Sequence, residues 1–473
     1  MSGVTDVVVV GGGISGLTAA YRLAQKGISF RLLEKSSRLG GLIRTERVDG
    51  FLLEGGPDSL LAQKPDGIAL CEELGLGPRL VPTNPDKRTV FVLHRGLLHP
   101  LPEGMVLAVP TRIGPLLRSR LFSWPGKVRM GLDLVIPGRK ETSDESIAAF
   151  LRRRFGQEAV DLLGEPLLAG IHAGDPERLS IRASFPRFAD LETRYGSLIR
   201  GLSASAPPTK PGGSAFYSLV GGLGELVEAV ASRLPSSAVQ LDTPVTSLER
   251  ASPERADGGR FRLTTGGDTI DAHAVILALP PASSASLVRG LSEELGQGLG
   301  GIRSSTTATV CLGFRQADVA NGLDGYGLIV PATEGLRTMA CSFFSTKFPG
   351  RAPEGHVLLR GFVGGARDPQ VLGQGDDALT ALVVREMTPV LGLRGVPVMA
   401  RVFRWPGGTP QLEVGHMDRV AAMDAQVRAL PGLFLAGAGV RVTGIPDCVA
   451  QGSAAAAEAA AFLGAQVTTN FVV

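Results

Sequence analysis

Cysteine is scarce in this chain, and its histidines do not form metal-binding patterns. The 473 residues include only four cysteines, Cys71, Cys311, Cys341 and Cys448, and no two of them make a CxxC pair. This spacing indicates thiols in a reducing compartment rather than a disulfide framework. The six histidines form neither an HxH nor an HExxH pattern, so no metal site is expected.

The chain also lacks long apolar runs and a strong net charge. No run approaches the roughly 18 apolar residues of a membrane-spanning helix. The first apolar stretch, Val7 to Val10, follows Asp6 and ends at Gly11, which is not the pattern of a signal peptide. A formal net charge of +3 is too small to indicate a nucleic-acid partner. We therefore expect a cytoplasmic protein of about three domains' length, without a transmembrane segment.

Glycine is abundant, and the first glycine cluster carries the strongest functional signal. The buried-strand pattern at 6–10 leads into a GxGxxG turn at 11–16, and a helical pattern follows. In this arrangement Gly11 permits a tight turn, Gly13 lets the backbone approach a pyrophosphate, and Gly16 allows the helix to pack closely on the strand. The phosphates then lie at the helix N-terminus, where free N–H groups favour anions. The pattern predicts a dinucleotide site.

The segments that follow favour FAD over NAD. Glu34 ends the second strand, where its carboxylate can hold ribose hydroxyls. The pair Gly40-Gly41 soon afterwards makes room for a second pass along a long cofactor, and the turn at 437–439 supplies another backbone-rich wall. A further glycine string at 296–301 follows a helical pattern rather than a strand, so we interpret it as a loop. A flavin without a nicotinamide site needs another electron acceptor, and dioxygen or a quinone is the simplest choice.

The order of strand and helix patterns predicts an α/β fold with three parts. A Rossmann-like FAD-binding domain is built from the discontinuous segments 1–85, 215–275 and 405–473, because strand patterns return at the C-terminus after a long excursion. Residues 86–104 and 276–404 form a sheet-containing substrate-binding domain. Residues 105–214 form an α-helical, membrane-associating insert that ends in a linker at 203–214.

Several longer segments carry a resemblance to a known family. They include RLGGLIRT at 38–45, GFLLEGGPDSL at 50–60, GEPLLAGIHAGDPERLSIRASFPRFADLE at 164–192 and LAGAGVRVTGIPDCVAQG at 435–452. These segments resemble the monoamine-oxidase-type flavoproteins and, through 164–192 and IPDCVAQG, the protoporphyrinogen oxidases. That family oxidises protoporphyrinogen IX to protoporphyrin IX in haem biosynthesis by hydride transfer to flavin N5, with dioxygen as acceptor. The match extends nearly end to end, in the family's motif order.

The resemblance implies noncovalent FAD and the residues that hold it. The chain has Pro446 where the family usually has asparagine, which removes a backbone donor, so Asp447 is the firmer prediction there. The implied cofactor residues are Gly11, Gly12, Gly13, Ile14, Ser15, Gly16, Glu34, Lys35, Gly40, Gly41, Leu42, Gly56, Pro57, Asp58, Ser59, Val245, Gly437, Thr443, Gly444, Ile445 and Asp447.

The resemblance also implies a substrate pocket with apolar walls and a cation for a propionate. Arg95 is the preferred cation because it precedes Gly96 at a strand turn, and Arg88 is the alternative. The Gly170 carbonyl is the implied backbone group that orients the substrate, whereas we expect His172 to be structural rather than a base. The implied walls are Tyr326, Ile329 and Phe362, although the family commonly has Phe and Leu at the first two positions.

Residues 112–140 combine basic residues with apolar ones, including Trp124. This composition is typical of an interfacial element, so we expect peripheral attachment to the inner face of the cell membrane. Two other functions remain open: oxidation of coproporphyrinogen III by the same mechanism, and a non-catalytic, prenyl-binding escort-type protein on the same fold. The sequence also leaves a homodimer open.

Overall fold

The computed structural model describes residues 4–139, 143–205, 213–251 and 260–470. Two large sheets and a helical region account for most of these residues. The strands are β1 Thr5–Val10, β2 Phe30–Leu33, β3 Thr45–Val48, β4 Phe51–Glu54, β5 Leu60–Leu61, β6 Leu80–Pro82, β7 Val90–His94, β8 Leu97–Pro100, β9 Met105–Val106, β10 Val109–Pro110, β11 Phe216–Leu219, β12 Val239–Gln240, β13 Val245–Arg250, β14 Phe261–Thr265, β15 Thr269–Leu277, β16 Ser304–Arg315, β17 Gly327–Ile329, β18 Thr338–Phe343, β19 His356–Gly364, β20 Met399–Pro410 and β21 Leu433–Leu435.

The helices lie between these strands, and a π-helical turn, Val160–Gly164, joins two of them. They are α1 Ile14–Gln25, α2 Asp66–Glu73, α3 Ile113–Arg118, α4 Trp124–Gly131, α5 Ile147–Phe155, α6 Gln157–Ala159, α7 Glu165–His172, α8 Ile181–Ser184, α9 Pro186–Tyr195, α10 Leu198–Ala204, α11 Gly224–Ala231, α12 Pro281–Val288, α13 Glu293–Gly300, α14 Phe344–Lys347, α15 Asp376–Leu391, α16 His416–Arg428 and α17 Ile445–Asn470.

The first sheet is built from distant parts of the chain around β1. Its order is β12–β2–β1–β15–β14–β13, with β21 beside β15. β1 is parallel to both neighbours, and Val7 lies opposite Phe30 on one side and Ala274 on the other. Helices α1, α11 and α17 pack on one face, and α12, α13 and α16 on the other. The continuous β-branched run at 7–10 therefore forms a strand buried on both faces, and the predicted α/β architecture is confirmed.

The second sheet has the order β20–β16–β19–β18–β17–β7–β8. Helix α15 covers one of its faces through Leu379, Leu382 and Val383. The opposite face contacts the helical region through Ile329 and Ala340. The same face also meets β4 of the cofactor segments, where Phe51 and Leu53 pack with Phe403. It is therefore enclosed between the two other parts of the molecule.

The helical region, α3 to α10, has its own core, which includes Phe150, Phe155 and Leu163. A fully buried ion pair, Arg154–Asp133 at 2.5 Å, joins α5 to the segment after α4. Asp133 also accepts hydrogen bonds from the Ser197 hydroxyl and the Ile199 N–H, so α10 is tied to the same charge. The predicted linker at 203–214 begins at the end of α10, and its residues 206–212 lie outside the described residues.

Two features of the fold differ from the sequence prediction. Helices α12 and α13, in a segment grouped with the substrate-binding part, pack instead on the nucleotide-binding sheet. The glycine string at 296–301 is not a loop, because α13 continues to Gly300 after the Ser292 hydroxyl caps its N-terminus. Its amphipathic spacing, with Leu295 and Leu299 buried, outweighs the low helix propensity of its glycines.

Candidate active site

The turn between β1 and α1 forms a cradle made of backbone. Gly11 has φ +105°, and a Cβ there would lie 2.5 Å from the Ala278 carbonyl oxygen. A Cβ on Gly16 would overlap the Gly11 carbonyl, so glycine is needed for α1 to approach β1. A Cβ on Gly13, by contrast, would have no heavy atom of the described chain within 4 Å. The cradle therefore opens at Gly13, where a cofactor phosphate would approach.

The N-terminus of α1 faces this opening. Gly13 is its N-cap and, within the described residues, no side chain caps the helix. Ile14 and Ser15 lie in the first turn of α1, where N–H groups have no partner within the helix, so these groups and the helix dipole can hold an anion. Helix α17 lies against this turn, because a Cβ on Gly452 would overlap the Ser15 carbonyl. Gly16 and Gly452 thus allow β1 and α17 to approach the N-terminal turn of α1 closely.

Glu34 lies beside the glycine turn, at the end of β2. Its carboxylate accepts hydrogen bonds from the Gly12 N–H at 2.7 Å and from the Ser36 N–H at 2.9 Å. The Glu34 carbonyl accepts from the Thr243 N–H at 2.9 Å, which brings the chain leading to Val245 beside it. Val245 lies opposite Thr265 at the start of β13, and the register of the β13–β14 pairing shifts between Val245 and Ser247. The structure thus brings together the predicted ribose and adenine residues, while the Lys35 side chain is exposed.

A second segment runs beside the glycine turn. The Gly40 N–H donates to the Gly12 carbonyl at 2.8 Å, and Gly40 and Gly41 have φ values of +101° and +58°. Leu42 follows with 39% of its surface exposed, although it is apolar and lies within the site. Gly56 lies directly beside it, because a Cβ there would overlap the Leu42 carbonyl. The backbone at Leu42 therefore packs directly against the loop at 56–59.

Asp58 in that loop is held by two cations, Lys347 at the end of α14 and Arg360 on β19. Its carboxylate accepts from Lys347 at 3.0 Å and from Arg360 at 2.8 Å. Burial alone would raise the pKa of Asp58, but the charges of Lys347 and Arg360 outweigh it and hold that pKa well below its usual range. The Ser59 hydroxyl donates to the same carboxylate. Asp58 therefore remains ionised, and Pro57 and Ser59 are fixed with it.

The C-terminal segment closes the site. Gly437 has φ +110° and approaches Leu279, next to the Ala278 carbonyl that limits Gly11. Thr443 is half-buried, and Gly444, with φ +112°, directly precedes Ile445 at the start of α17. Asp447 accepts from Lys64 at 2.6 Å. The beginning of α17 is thus tied to the segment that follows β5.

An apolar row crosses the enclosed face of the second sheet. The strand register places Val92 opposite Ile329, Ile329 opposite Ala340, and Ala340 opposite Phe362. The row therefore runs over four strands on one face. Helix α7 lies over it: Gly170 is exposed, and a Cβ on Gly170 would contact only Ala340 Cβ, at 3.9 Å, among the described atoms. The structure brings together Gly170, Ile329 and Phe362.

Three other predicted substrate residues lie away from this row. Arg95 is exposed at the tip of the β7–β8 hairpin with φ +53°, and its N–H donates to Glu334. Arg88 is exposed and donates to the Pro85 carbonyl. Tyr326 precedes Ile329 by three positions, an odd spacing that does not place two side chains on one face of a strand. Its hydroxyl donates to the Asn84 carbonyl at 2.9 Å.

The sequence prediction missed the imidazoles at the end of the row. His99 lies opposite Val92, and His94 is two residues after Val92, so both share its face. Their rings are 5.9 Å apart, and His94 Nδ1 is 3.6 Å from Glu334 Oε1. The register of a two-residue hairpin turn at 95–96 is the signal that could have identified them.

His172 ends α7 near Lys64. Burial, assisted by the positive charge of Lys64, lowers the pKa of His172 to about 4, so its imidazole is neutral at neutral pH. Its ring makes an edge contact with Phe185, and its carbonyl accepts from Gln411. These are packing contacts, and the structural role of His172 stays a prediction.

The cradle fits the pyrophosphate and the ribose of FAD. It offers free helix N–H groups, open space at Gly13 and an acidic residue near the ribose position. Gln451 of α17 adds a buried side-chain amide whose nitrogen and oxygen have no partner among the described residues. An unpaired buried amide is costly, and a bound polar group would satisfy it.

Comparisons with known proteins agree with this geometry. The sequence profile of the family described as "Flavin containing amine oxidoreductase" matches residues 14–460. The chain is 35% identical to coproporphyrinogen III oxidase of Bacillus subtilis (strain 168), over 98% of this chain and 99% of that protein. It is 30% identical to the chloroplastic protoporphyrinogen oxidase of Nicotiana tabacum, over 97% and 86%.

A solved structure shows the same arrangement of the chain. The crystal structure of a suggested protoporphyrinogen oxidase from Exiguobacterium sp. 255-15 superposes with a TM-score of 0.85 at 32% identity. It covers 97% of this chain and 99% of the other. The resemblance inferred from the segments at 38–60, 164–192 and 435–452 is thereby confirmed, and so is FAD as the cofactor. The chain belongs to the flavin containing amine oxidoreductase family and is an FAD-dependent oxidoreductase.

Proposed function

We propose that this protein oxidises a porphyrinogen to the corresponding porphyrin in haem biosynthesis. The observation that carries the proposal is the apolar row Val92–Ile329–Ala340–Phe362, which lies beneath Gly170 and is connected through Arg360 to the loop at 56–59. A large, mostly apolar tetrapyrrole needs flat apolar walls of this kind. Relatives named for porphyrinogen oxidation, and matched over nearly all of this chain, support the same substrate class.

FAD would be held by the glycine turn at 11–16 and Glu34, and it would supply a hydride acceptor for a methylene bridge of the substrate, with dioxygen as the final electron acceptor. The chain's own contribution is to position the substrate and exclude water. Ile329 and Phe362 pack against the macrocycle, and Gly170, in the last turn of α7, offers a carbonyl that can accept a pyrrole N–H. The neutral His172 is not needed as a base. The reaction needs no strong general base, since pyrrole protons can pass to water or to this carbonyl.

FAD binding is proposed to be noncovalent. Cys448 is the cysteine nearest the C-terminal cofactor segment, and burial raises the pKa of its thiol to about 11. Cys448 is therefore a protonated, unreactive thiol at neutral pH. Release of intact FAD on acid precipitation would support this proposal, and flavin that remains with the precipitated protein would refute it.

Coproporphyrinogen III is proposed as the better substrate, ahead of the protoporphyrinogen IX that the sequence ranked first. Bacterial relatives over nearly the whole length are named coproporphyrinogen III oxidase. Coproporphyrinogen carries two more propionates, and His94 and His99 add donors at the end of the apolar row. Plant relatives of similar identity are named protoporphyrinogen oxidase, which keeps the second substrate as the alternative.

Steady-state oxidation of both porphyrinogens under air, followed by porphyrin fluorescence, tests this proposal. A hydrogen bond to a charged group contributes about 1.5–3 kcal/mol, so kcat/KM should be at least about tenfold higher for coproporphyrinogen III. A higher value for protoporphyrinogen IX would reverse the ranking. No oxidation of either substrate by yellow holoenzyme would refute the function.

We also propose that the helical region attaches peripherally to the inner face of the cell membrane. None of the described helices is long and apolar enough to cross a bilayer. Around α4, however, Trp124, Val128 and Val135 are 66%, 63% and 71% exposed. Arg112, Arg118 and Arg120 are exposed nearby. Apolar side chains flanked by basic ones are suited to an anionic bilayer surface.

Not every basic residue of 112–140 contributes to this surface. Lys127 donates to the Leu117 carbonyl, Arg129 donates to three carbonyls of α5, and Lys140 lies outside the described residues. Co-sedimentation with anionic liposomes should fall strongly for W124S/V128S and remain for V396S, which changes a more exposed valine elsewhere. Salt-insensitive or absent binding of the unmodified protein would refute the attachment.

Light scattering in solution tests the homodimer that the sequence left open.

A further inference from the structure

Arg360 is a fully buried cation between two parts of the site, the loop at 56–59 and the apolar row. It lies on β19, only 1% of its surface is exposed, and its guanidinium donates to Asp58 at 2.8 Å and to the Gly56 carbonyl at 2.7 Å. Both partners belong to the loop at 56–59 on the cofactor side. A forked contact to a carboxylate and a carbonyl fixes direction as well as distance.

The same guanidinium contacts the substrate side. It lies over the ring of Phe362 at 5.2 Å and over the ring of Phe344 at 4.8 Å. Phe362 is two residues along β19 on the same face, and it is the last member of the apolar row. The planar guanidinium of Arg360 thus connects the loop at 56–59 to the wall of the substrate pocket.

We propose that Arg360 is a positioning residue that sets the placement of the flavin-side loop relative to the pocket wall. The inference rests on the proposed function and deepens it. Lys347 already neutralises Asp58, so charge balance alone does not require a second cation. What Arg360 adds is the simultaneous contact with the Gly56 carbonyl and the Phe362 ring. A misplacement of about 1 Å in such a site can reduce turnover by about 100-fold.

Arg351 provides a matched control. It is equally buried at 0% exposure and also lies over Phe344, at 5.6 Å. Its guanidinium, however, donates to the carbonyls of Val220 and Leu219 and to the Ser218 hydroxyl. In the described residues it has no hydrogen bond to the loop at 56–59. Loss of these guanidinium hydrogen bonds should therefore lower the free energy of unfolding without displacing the loop at 56–59.

The test compares R360K and R351K holoenzymes. Lysine keeps the charge but cannot make the forked contact. We expect both variants to have a lower Tm, while R360K alone changes the visible circular dichroism of the bound flavin and lowers kcat by about tenfold or more, within the range expected for a displaced site. R351K should keep the flavin signal and remain within about threefold of the parent kcat. Equal effects in the two variants, or an unchanged flavin signal in R360K, would overturn the proposal.

A second variant keeps the proposal testable if R360K does not fold. D58N breaks the same connection from the loop side and should change the flavin signal in the same direction. If both single variants fold, the double variant should be no worse than the poorer single variant, because both remove one connection. Additive losses would contradict the inference. The flavin signal needs no substrate, so failure of the parent protein on porphyrinogens would refute the proposed function and leave this test intact.

Discussion

The G13A substitution separates cofactor binding from folding. Gly13 has φ −69° and ψ 174°, which alanine adopts without strain, and its Cβ would meet no described atom within 4 Å. The free energy of unfolding should change by less than about 1 kcal/mol. The new methyl group, however, would occupy the place of a phosphate oxygen. Loss of one charge-assisted hydrogen bond, about 1.5–3 kcal/mol, should weaken FAD binding roughly ten- to hundredfold.

The measurement is a flavin-fluorescence titration of deflavinated protein, together with its denaturant unfolding. G16A is the control, because its Cβ would overlap the Gly11 carbonyl and must displace α1 from β1. G16A should therefore unfold more easily even without FAD. If G13A binds FAD as tightly as the parent protein, the phosphate does not lie at Gly13 and the cradle has been misidentified. A large loss of stability in G13A would equally refute the reasoning.

Three further predictions concern other parts of the site. H172A should keep turnover within a few fold, because the imidazole is already neutral; a loss above about 100-fold would make His172 a base. Burial raises the pKa of Glu54 to about 7 from 4.5, so the folded state holds the proton more tightly, and stability should fall by about 3 kcal/mol as pH rises through this window. E54Q should remove that slope in denaturant unfolding between about pH 5 and pH 8, and an unchanged slope would contradict the assignment. F362A should raise KM for the porphyrinogen while leaving FAD content unchanged; unaltered kinetics would exclude Phe362 from the pocket wall.

Much of the nucleotide-binding part could be predicted because its signals are local. The β-branched run at 7–10 and the glycines at 11–16 are adjacent in sequence, and each imposes its conformation on its neighbours. Helix α15 is another local case, since its apolar spacing gives the bounds 376–391 that the structure shows. The alanine-rich C-terminal segment indicates a helix in the same local way, and α17 begins at Ile445.

The substrate side was harder to predict because it depends on register and distant partners. Arg95 was preferred as the substrate cation because it lies at a turn. In the structure, the β7–β8 hairpin turn requires a positive φ at Arg95, and the Arg95 side chain is exposed. His99 lies toward the row because of the β7–β8 register, and His94 does so because it is two residues after Val92 on β7. The Asp58–Arg360 pair joins residues 302 positions apart, and no local pattern indicates it. Helix α16 was not predicted either, since it has no strong amphipathic spacing.

Anaerobic mixing of the purified yellow protein with coproporphyrinogen III tests the central claim most directly. The account predicts that the visible absorption of the bound flavin is lost without oxygen, and that admitting air restores it while porphyrin fluorescence appears. Flavin that stays oxidised with both coproporphyrinogen III and protoporphyrinogen IX would contradict the account.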